Sequence, residues 1–355
     1  MFTSAFFNFF VILTGFSIAI SNTVATPEII KKPLPRENKG IYLTAYVAGL
    51  KDWRAKLIDL VNKTELNTVV IDIKDYSGLI FFDTNLPDVD AISAEDVRIP
   101  DLKEWLKYLK EQGIYTIARI TVFQDPYLAE KKPEIALHSK KGGLWRDRKG
   151  LAWVDPTQRY VWEYNLNLAK ETVKLGFDEI NFDYIRFPTD GDIKQIKYAN
   201  MEEGGDKSKV MAEFYGYLDQ QMADLPVLTS ADMFGMVLWR DDGLNIGQRL
   251  EDAAPHFDFI CPMVYPSHYP NGFEGFANPA EHPYEIVYKS LNRVKNLQYR
   301  AKFRPWLQAF DIGAVYDANK IELQKKATYD AGGYGWLLWN ASNRYSDQGL
   351  EKVEN

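Results

Sequence analysis

The 355-residue chain is 46% hydrophobic and 26% charged, so it can bury a large core, enough for one α/β barrel with long loops or for two domains. A net charge of −7 without a basic patch argues against a nucleic-acid partner, and the single cysteine, Cys261, rules out an internal disulfide and a thiolate metal site. Aromatic content is high, with 9 Trp and 21 Tyr, as in proteins that stack on flat ligands such as sugar rings.

Residues 1–25 carry no charged side chain, and 6–20 are an almost unbroken apolar run. The run is shorter than the roughly 20 residues of a membrane span. With Thr23-Val24-Ala25 as a cleavage site, 1–25 is expected to be a secretory signal peptide, an uncleaved N-terminal anchor being the alternative. Cleavage would leave no stable membrane span and an exported protein, periplasmic or secreted. Residues 26–39, with Pro27, Pro33 and Pro35 among charges, read as a linker to a folded domain over 40–345, followed by a tail, 346–355.

Within the domain, strand and helix alternate. Residues 40–49 suit a strand, and Asp52 can cap a helix over 53–63. A second strand, 68–75, is apolar at its start and charged at its end. Pro100 and Asp101 open an amphipathic helix with Leu102, Trp105, Leu106 and Leu109 on one face. A third strand, 115–123, leads to a long loop, 124–156, and Asp155-Pro156 starts a helix ending near Leu175. The fourth strand, 177–188, begins after Gly176 and turns polar at its end, with Asp183, Tyr184 and Arg186. A Gly- and acid-rich loop, 189–206, and a helix, 207–224, precede a fifth strand, 227–235. The sixth, 257–269, ends in an aromatic loop; helix 282–297, strand 304–312, helix 318–330 capped by Asp317, and strand 335–340 complete the series.

Apolar strands alternating with helices imply a parallel sheet covered on both faces. Eight such units fit a single (β/α)8 TIM barrel preceded by the N-terminal segment; a doubly wound open sheet is the alternative. No Gly-rich phosphate fingerprint follows the first strand, which disfavours the dinucleotide-binding form of that alternative. Barrel active sites lie at the C-terminal strand ends. Those ends offer Asp72, Lys74 and Asp75, then Arg119, Gln124 and Asp125, then Asp183, Tyr184 and Arg186. Beyond them come Asp232, Tyr265 with His268, Gln308 with Asp311, and Trp339 with Asn340. Carboxylates can protonate a leaving oxygen and attack or activate water, while aromatics stack on a sugar ring.

Each residue also has a structural role open to it. Side chains alternate between faces, so Asp72 or Asp75 can point at a helix, and Asp75 can cap the following turn. Asp178, at the start of its strand, suits stability, and Cys261 suits a buried thiol. Asp183 and Arg186 can form a plain strand-end ion pair. No His pair has metal-ligand spacing; a hard cation held by Asp72, Asp75, Asp183 and Asp232 is the one metal reading to weigh. No cofactor is expected.

The segments TVVIDIKDYSGLIFF, ARITVFQDP, GFDEINFDYIRFP, CPMVYPSHY and GWLLWNASNRY together resemble a bacterial family of glycosyl hydrolase-like domains otherwise classed as of unknown function. The resemblance spans about 40–345 and implies a (β/α)8 barrel acting on a carbohydrate. A weaker similarity reaches chitinase-like barrels through 177–188 and Met263-Val264-Tyr265, but the position of their catalytic Glu is Ile185 here. Their substrate-assisted mechanism therefore does not carry over. Amylase-like barrels, with a nucleophile ending strand four and an acid/base on strand five, offer the nearer analogy, although strand five here supplies an Asp.

The expectation is a glycoside hydrolase with Asp183 as nucleophile or base and Asp232 as general acid. Arg119 and Arg186 would keep Asp183 ionised, and Asp75, Tyr184, Tyr265, His268, Trp306, Gln308, Trp339 and Asn340 would contact the carbohydrate. A non-catalytic carbohydrate-binding barrel of the cell envelope is the alternative.

Overall fold

The computed structural model describes Met1 and residues 33–353. The expected signal segment beyond Met1, and the linker up to residue 32, lie outside the described residues. The barrel strands are β1 (Asn38–Leu43), β2 (Thr68–Lys74), β3 (Tyr115–Thr121), β4 (Glu179–Asp183), β5 (Leu228–Phe234) and β6 (Phe259–Met263). Two short pieces, Lys302–Phe303 and Trp306–Gln308, form β7, and Gly335–Trp339 is β8. Each strand pairs in parallel with the next, and β8 pairs with β1 through Asn38↔Gly335 and its neighbours. The sheet is therefore a closed eight-stranded barrel and not an open one.

The long outer helices are α1 (Lys51–Lys63), α2 (Leu102–Glu111), α3 (Arg159–Leu175), α4 (Lys207–Met222), α5 (Pro283–Asn292) and α6 (Ala318–Asp330). Between β5 and β6 the regular α-helix is only Leu250–Ala253. None of the described helices is long and apolar enough to cross a membrane. Alternation along the strands builds two cores. Val69, Ile71 and their equivalents face the helices, meeting Leu57, Ile58 and Val61 of α1. Val70, Ile117, Leu228, Phe259, Cys261 and Leu337 fill the barrel itself. Cys261 is a fully buried thiol, as expected.

Element ends differ from the sequence reading where a local rule intervenes. The first strand stops at Leu43 because Thr44 caps a short helix, Ala45–Gly49, accepting from the Val47 N–H at 3.2 Å. Asp52 falls in the first turn of α1 rather than at its cap. The sixth strand stops at Met263, shortly before Pro266 opens a 3-10 turn. The fourth stops at Asp183 because Tyr184 takes φ +52°, a left-handed conformation that ends the ladder. The 124–156 segment is not plain loop: it contains a helix, Pro126–Lys131, capped by Asp125, and His138–Ser139, which pairs with Ile196–Lys197. Residues 347–353 lie along the end of α1, where Val353 N donates to Lys63 O.

The barrel floor is charged. Arg304 and Glu179 form a fully buried ion pair, joined by Asn38 at 2.9 Å and the Tyr115 hydroxyl at 3.2 Å. Asp178 accepts from Thr116 N and Oγ1, both at 3.0 Å, in keeping with a stability role at this end.

Candidate active site

Strand parity brings three carboxylates to one guanidinium at the C-terminal rim. Asp72 on β2, Asp183 at the end of β4 and Asp232 on β5 all point inward toward Arg119 of β3. Arg119 Nη1 donates to Asp72 Oδ1 at 2.6 Å. Its Nη2 and Nε both donate to Asp183 Oδ2, the Nε bond measuring 3.2 Å, and Nε lies 3.7 Å from Asp232 Oδ2. The Oδ2 atoms of Asp183 and Asp232 are therefore at most about 7 Å apart, the sum of those two Nε contacts. Asp183 Oδ1 accepts from the Tyr184 N–H at 2.5 Å, a bond that the left-handed turn makes possible. The guanidinium occupies the place between these carboxylates that a cation would need, and no cluster suited to a metal exists among the described residues.

The partners of Asp232 are asymmetric. Its Oδ1 accepts from Trp306 Nε1 at 2.7 Å and Asn181 Nδ2 at 2.9 Å, whereas Oδ2 faces Arg119 Nε at 3.7 Å. Burial and the neighbouring Asp183 charge push its carboxyl up to about 8, against Arg119, Asn181 and Trp306. Burial likewise raises Asp72 to about 6, opposed by Arg119 and by the Tyr42 hydroxyl that donates to it. Burial also works against the charge on Arg119, but Asp72 and Asp183 outweigh it and raise its proton affinity well above the ordinary value. The Tyr265 phenol is pushed up by burial and by the charges of Asp232 and Asp183, so it stays protonated beside them.

An aromatic wall flanks the cluster. Trp339 stacks on Tyr42 with centroids 3.9 Å apart and lies edge-on to Trp306 at 5.4 Å. From Trp339 a cleft of about 680 Å³ opens over the ends of β6 to β8, lined by Tyr265, His268, Phe310, Asn340 and Arg344. A depression of about 700 Å³ lies near Lys194, Lys207 and Asp242, so volume does not single out the cleft. What ties it to the carboxylate cluster is Trp339, which borders the cleft and whose ring centroid lies 5.1 Å from the Arg119 guanidinium carbon.

The expected site residues thus separate into groups. Asp183, Asp232 and Arg119 form the cluster, and Tyr265, His268, Trp339 and Asn340 border the cleft. Trp306 is fully buried and reaches Asp232 instead of the cleft. Gln308 is also buried; it accepts from Ser267 N at 3.1 Å and donates to Phe310 O at 2.9 Å, fixing the cleft loops. Asn340 donates to Ala309 O at 2.6 Å and so shapes the turn after β8. Asp75 caps its turn, accepting from Ser77 N at 2.8 Å, and acts on the site through its field on Asp72 and Tyr42. Tyr184 lies edge-on to Trp153. Arg186 forms no ion pair with Asp183; its guanidinium sits among Trp153, Tyr184 and Phe234.

Two rim-end residues leave the site. Between Asp72 and Lys74 the β2–β3 register shifts by one residue, and that bulge turns Lys74 outward. There its ammonium meets Asp125 at 2.7 Å and Asn165 of α3 at 3.0 Å. Conversely, Tyr42 and Asn181 belong to the site, although the sequence reading did not select them. Their signal was parity: Asn181 is two residues before Asp183, hence on the same inward face.

The sequence matches the model of a family described as "Putative glycosyl hydrolase domain" over residues 40–345. No curated protein matches the chain. Among solved structures, a hypothetical protein from Ruminiclostridium thermocellum is 38% identical with a TM-score of 0.50, covering 54% of this chain and 96% of its own. The PgaB (BpsB) glycoside hydrolase domain from Bordetella bronchiseptica is 15% identical with a TM-score of 0.63, covering 86% and 94%. An α-galactosidase from Thermus thermophilus is 13% identical with a TM-score of 0.54, covering 90% and 65%. The last two are similar in fold.

Proposed function

The chain belongs to this family of glycosyl hydrolase domains, and from that membership we propose that it is a glycoside hydrolase acting on an extracellular or cell-envelope polysaccharide. The reading rests on two carboxylates of adjacent strands whose surroundings differ: Asp232 is held protonated, while Asp183 is gripped by Arg119 and a backbone N–H. Both donors to Asp232 occupy Oδ1, which leaves Oδ2 as the oxygen to carry its proton. Asp232 gives that proton to the glycosidic oxygen as the bond to the anomeric carbon breaks. Asp183 supplies the electron pair to that carbon, or takes a proton from the water that does so. Trp339, Tyr265 and His268 contact the sugar rings in the cleft, with Asn340 at its edge. Export follows from the apolar run at 6–20.

The test compares the full chain with its Asp183→Asn variant on a panel of polysaccharides, reading both new reducing ends and binding. Wild type should cleave at least one polymer, and the variant should lose cleavage by about two to four orders of magnitude while still binding it. A second reading, a carbohydrate-binding barrel without catalysis, is favoured by one observation: Asp232 is only 1% exposed. Binding by wild type without cleavage of any polymer would select that reading.

A further inference from the structure

Four arginines among the described residues are nearly buried: Arg54, Arg119, Arg186 and Arg304. Three have acid partners. Arg54 is paired with Asp101, Arg119 with the aspartate cluster, and Arg304 with Glu179. Arg186, 7% exposed, has no carboxylate within 4.0 Å among the described residues. Its one hydrogen bond runs from Nη1 to the carbonyl of Phe187, its own neighbour, at 3.2 Å. The acids whose fields reach it are otherwise engaged. Asp147 accepts from Trp153 Nε1, Lys149 N and Leu151 N, Asp190 from Arg148 N, and Asp183 from Arg119.

A buried charge without a counter-ion is costly. Three aromatic rings offset part of that cost: the guanidinium carbon lies 5.2 Å from the Trp153 centroid and 4.8 Å from those of Tyr184 and Phe234. Rings stabilise the cation but satisfy none of its in-plane N–H groups. Tyr184 directly follows Asp183, and Phe234 ends β5 two residues beyond Asp232, so this cation stands at the edge of the carboxylate cluster. Both rings are partly exposed, so the guanidinium lies just beneath the surface there.

Resting on the hydrolase reading for the location of the sugar, we propose that the glycan is anionic and that Arg186 binds its charged substituent. An oxyanion in the plane of the guanidinium would supply the missing counter-ion and accept two parallel N–H bonds. A carboxylate of a uronic acid and a sulfate ester share that chemistry. A neutral glycan would leave the buried charge uncompensated.

The experiment measures binding by calorimetry to polygalacturonate, a sulfated galactan and a neutral galactan, with full-length Asp183→Asn so that cleavage does not interfere. A charged polymer should bind at least about tenfold more tightly than the neutral one, and added salt should reduce the difference only in part, because a buried pair is screened less than a surface one. Which charged polymer binds identifies the oxyanion. Adding Arg186→Met, which keeps the stem among the rings, should abolish the preference. If that variant does not fold, Arg186→Lys, which retains charge without the fork, should reduce it. Equal affinity for charged and neutral polymers, binding to none of them, or a preference that survives Arg186→Met overturns the inference. Charge-selective binding without wild-type cleavage sinks the hydrolase reading alone. Wild-type cleavage of a neutral glycan, with no charge preference, sinks this inference alone.

Discussion

Replacing Asp232 by Asn should make the protein more stable at alkaline pH, and the size of the effect follows from the site. The carboxyl of Asp232 is raised from 3.8 to about 8 in the folded chain by burial and the Asp183 charge. Between those values the folded state holds a proton that the unfolded chain has released. Stability therefore falls as pH rises, by about 1.4 kcal/mol per unit. It is fully present below the unfolded value, is lost progressively up to about 8, and is flat above. From pH 5 to pH 8 the loss attributable to this one group is on the order of 4 kcal/mol. Asp232→Asn mimics the protonated acid: its amide oxygen still accepts from Trp306 and Asn181, and its NH2 takes the place of the protonated Oδ2. Guanidinium melts followed by tryptophan fluorescence should give similar stabilities at pH 5. At pH 8 the variant should be the more stable by up to about 4 kcal/mol, and inactive. Asp72, raised to about 6, contributes a loss in the same direction that ends near pH 6 and is therefore smaller in total; it acts on both proteins and cancels in the comparison. Parallel stability curves across this range would refute the claim that Asp232 is protonated in the folded protein.

The same linkage places the alkaline limb of activity near the Asp232 value of about 8, and Trp306→Phe should move that limb upward. The indole N–H favours the ionised form of Asp232, and its loss should also cost about 1–3 kcal/mol of stability; a limb that moves down would contradict the assignment. At the barrel floor, Glu179→Gln strands the buried charge of Arg304 and should cost about 3–5 kcal/mol. Cleavage and binding by the folded fraction should be unaffected, since that pair lies at the opposite end of the strands; lost activity at full folding would argue that the floor sets the field of the rim.

The fold was legible because its signals are local and repeated: apolar strands alternating with helices, with many boundaries marked by a cap, a glycine or a proline. The rim followed from a general rule about barrels together with strand parity, and this placed Arg119, Asp183 and Asp232 together. Failures came where one residue changes the parity. The bulge after Asp72 sends Lys74 to the helices, and no composition signal marks it. Trp306 was expected at the sugar site as an aromatic, yet its inward position beneath Trp339 makes it a hydrogen-bond donor to Asp232. Tyr42 was hidden for a different reason: its hydroxyl matters only once Asp72 is known to point inward.

The end of β4 shows how a single backbone angle decides among the chemistries this sequence could carry. Had the strand continued, Ile185 would share the inward face of Asp183, and an acid there would stand over the sugar as in chitinase-like barrels. Tyr184 instead takes φ +52°, and the chain leaves the ladder. Ile185 is fully buried in the outer core, where the Tyr215 hydroxyl donates to its carbonyl at 3.2 Å. An acid at that position would face apolar side chains, so restoring the chitinase residue would not restore its chemistry. The same turn aims the Tyr184 N–H at Asp183 and delivers Arg186 to its aromatic enclosure. On the proposed hydrolase reading Asp183 therefore takes its acid from another strand, and Asp232, two contacts of one guanidinium nitrogen away, is the carboxyl whose surroundings favour the protonated form.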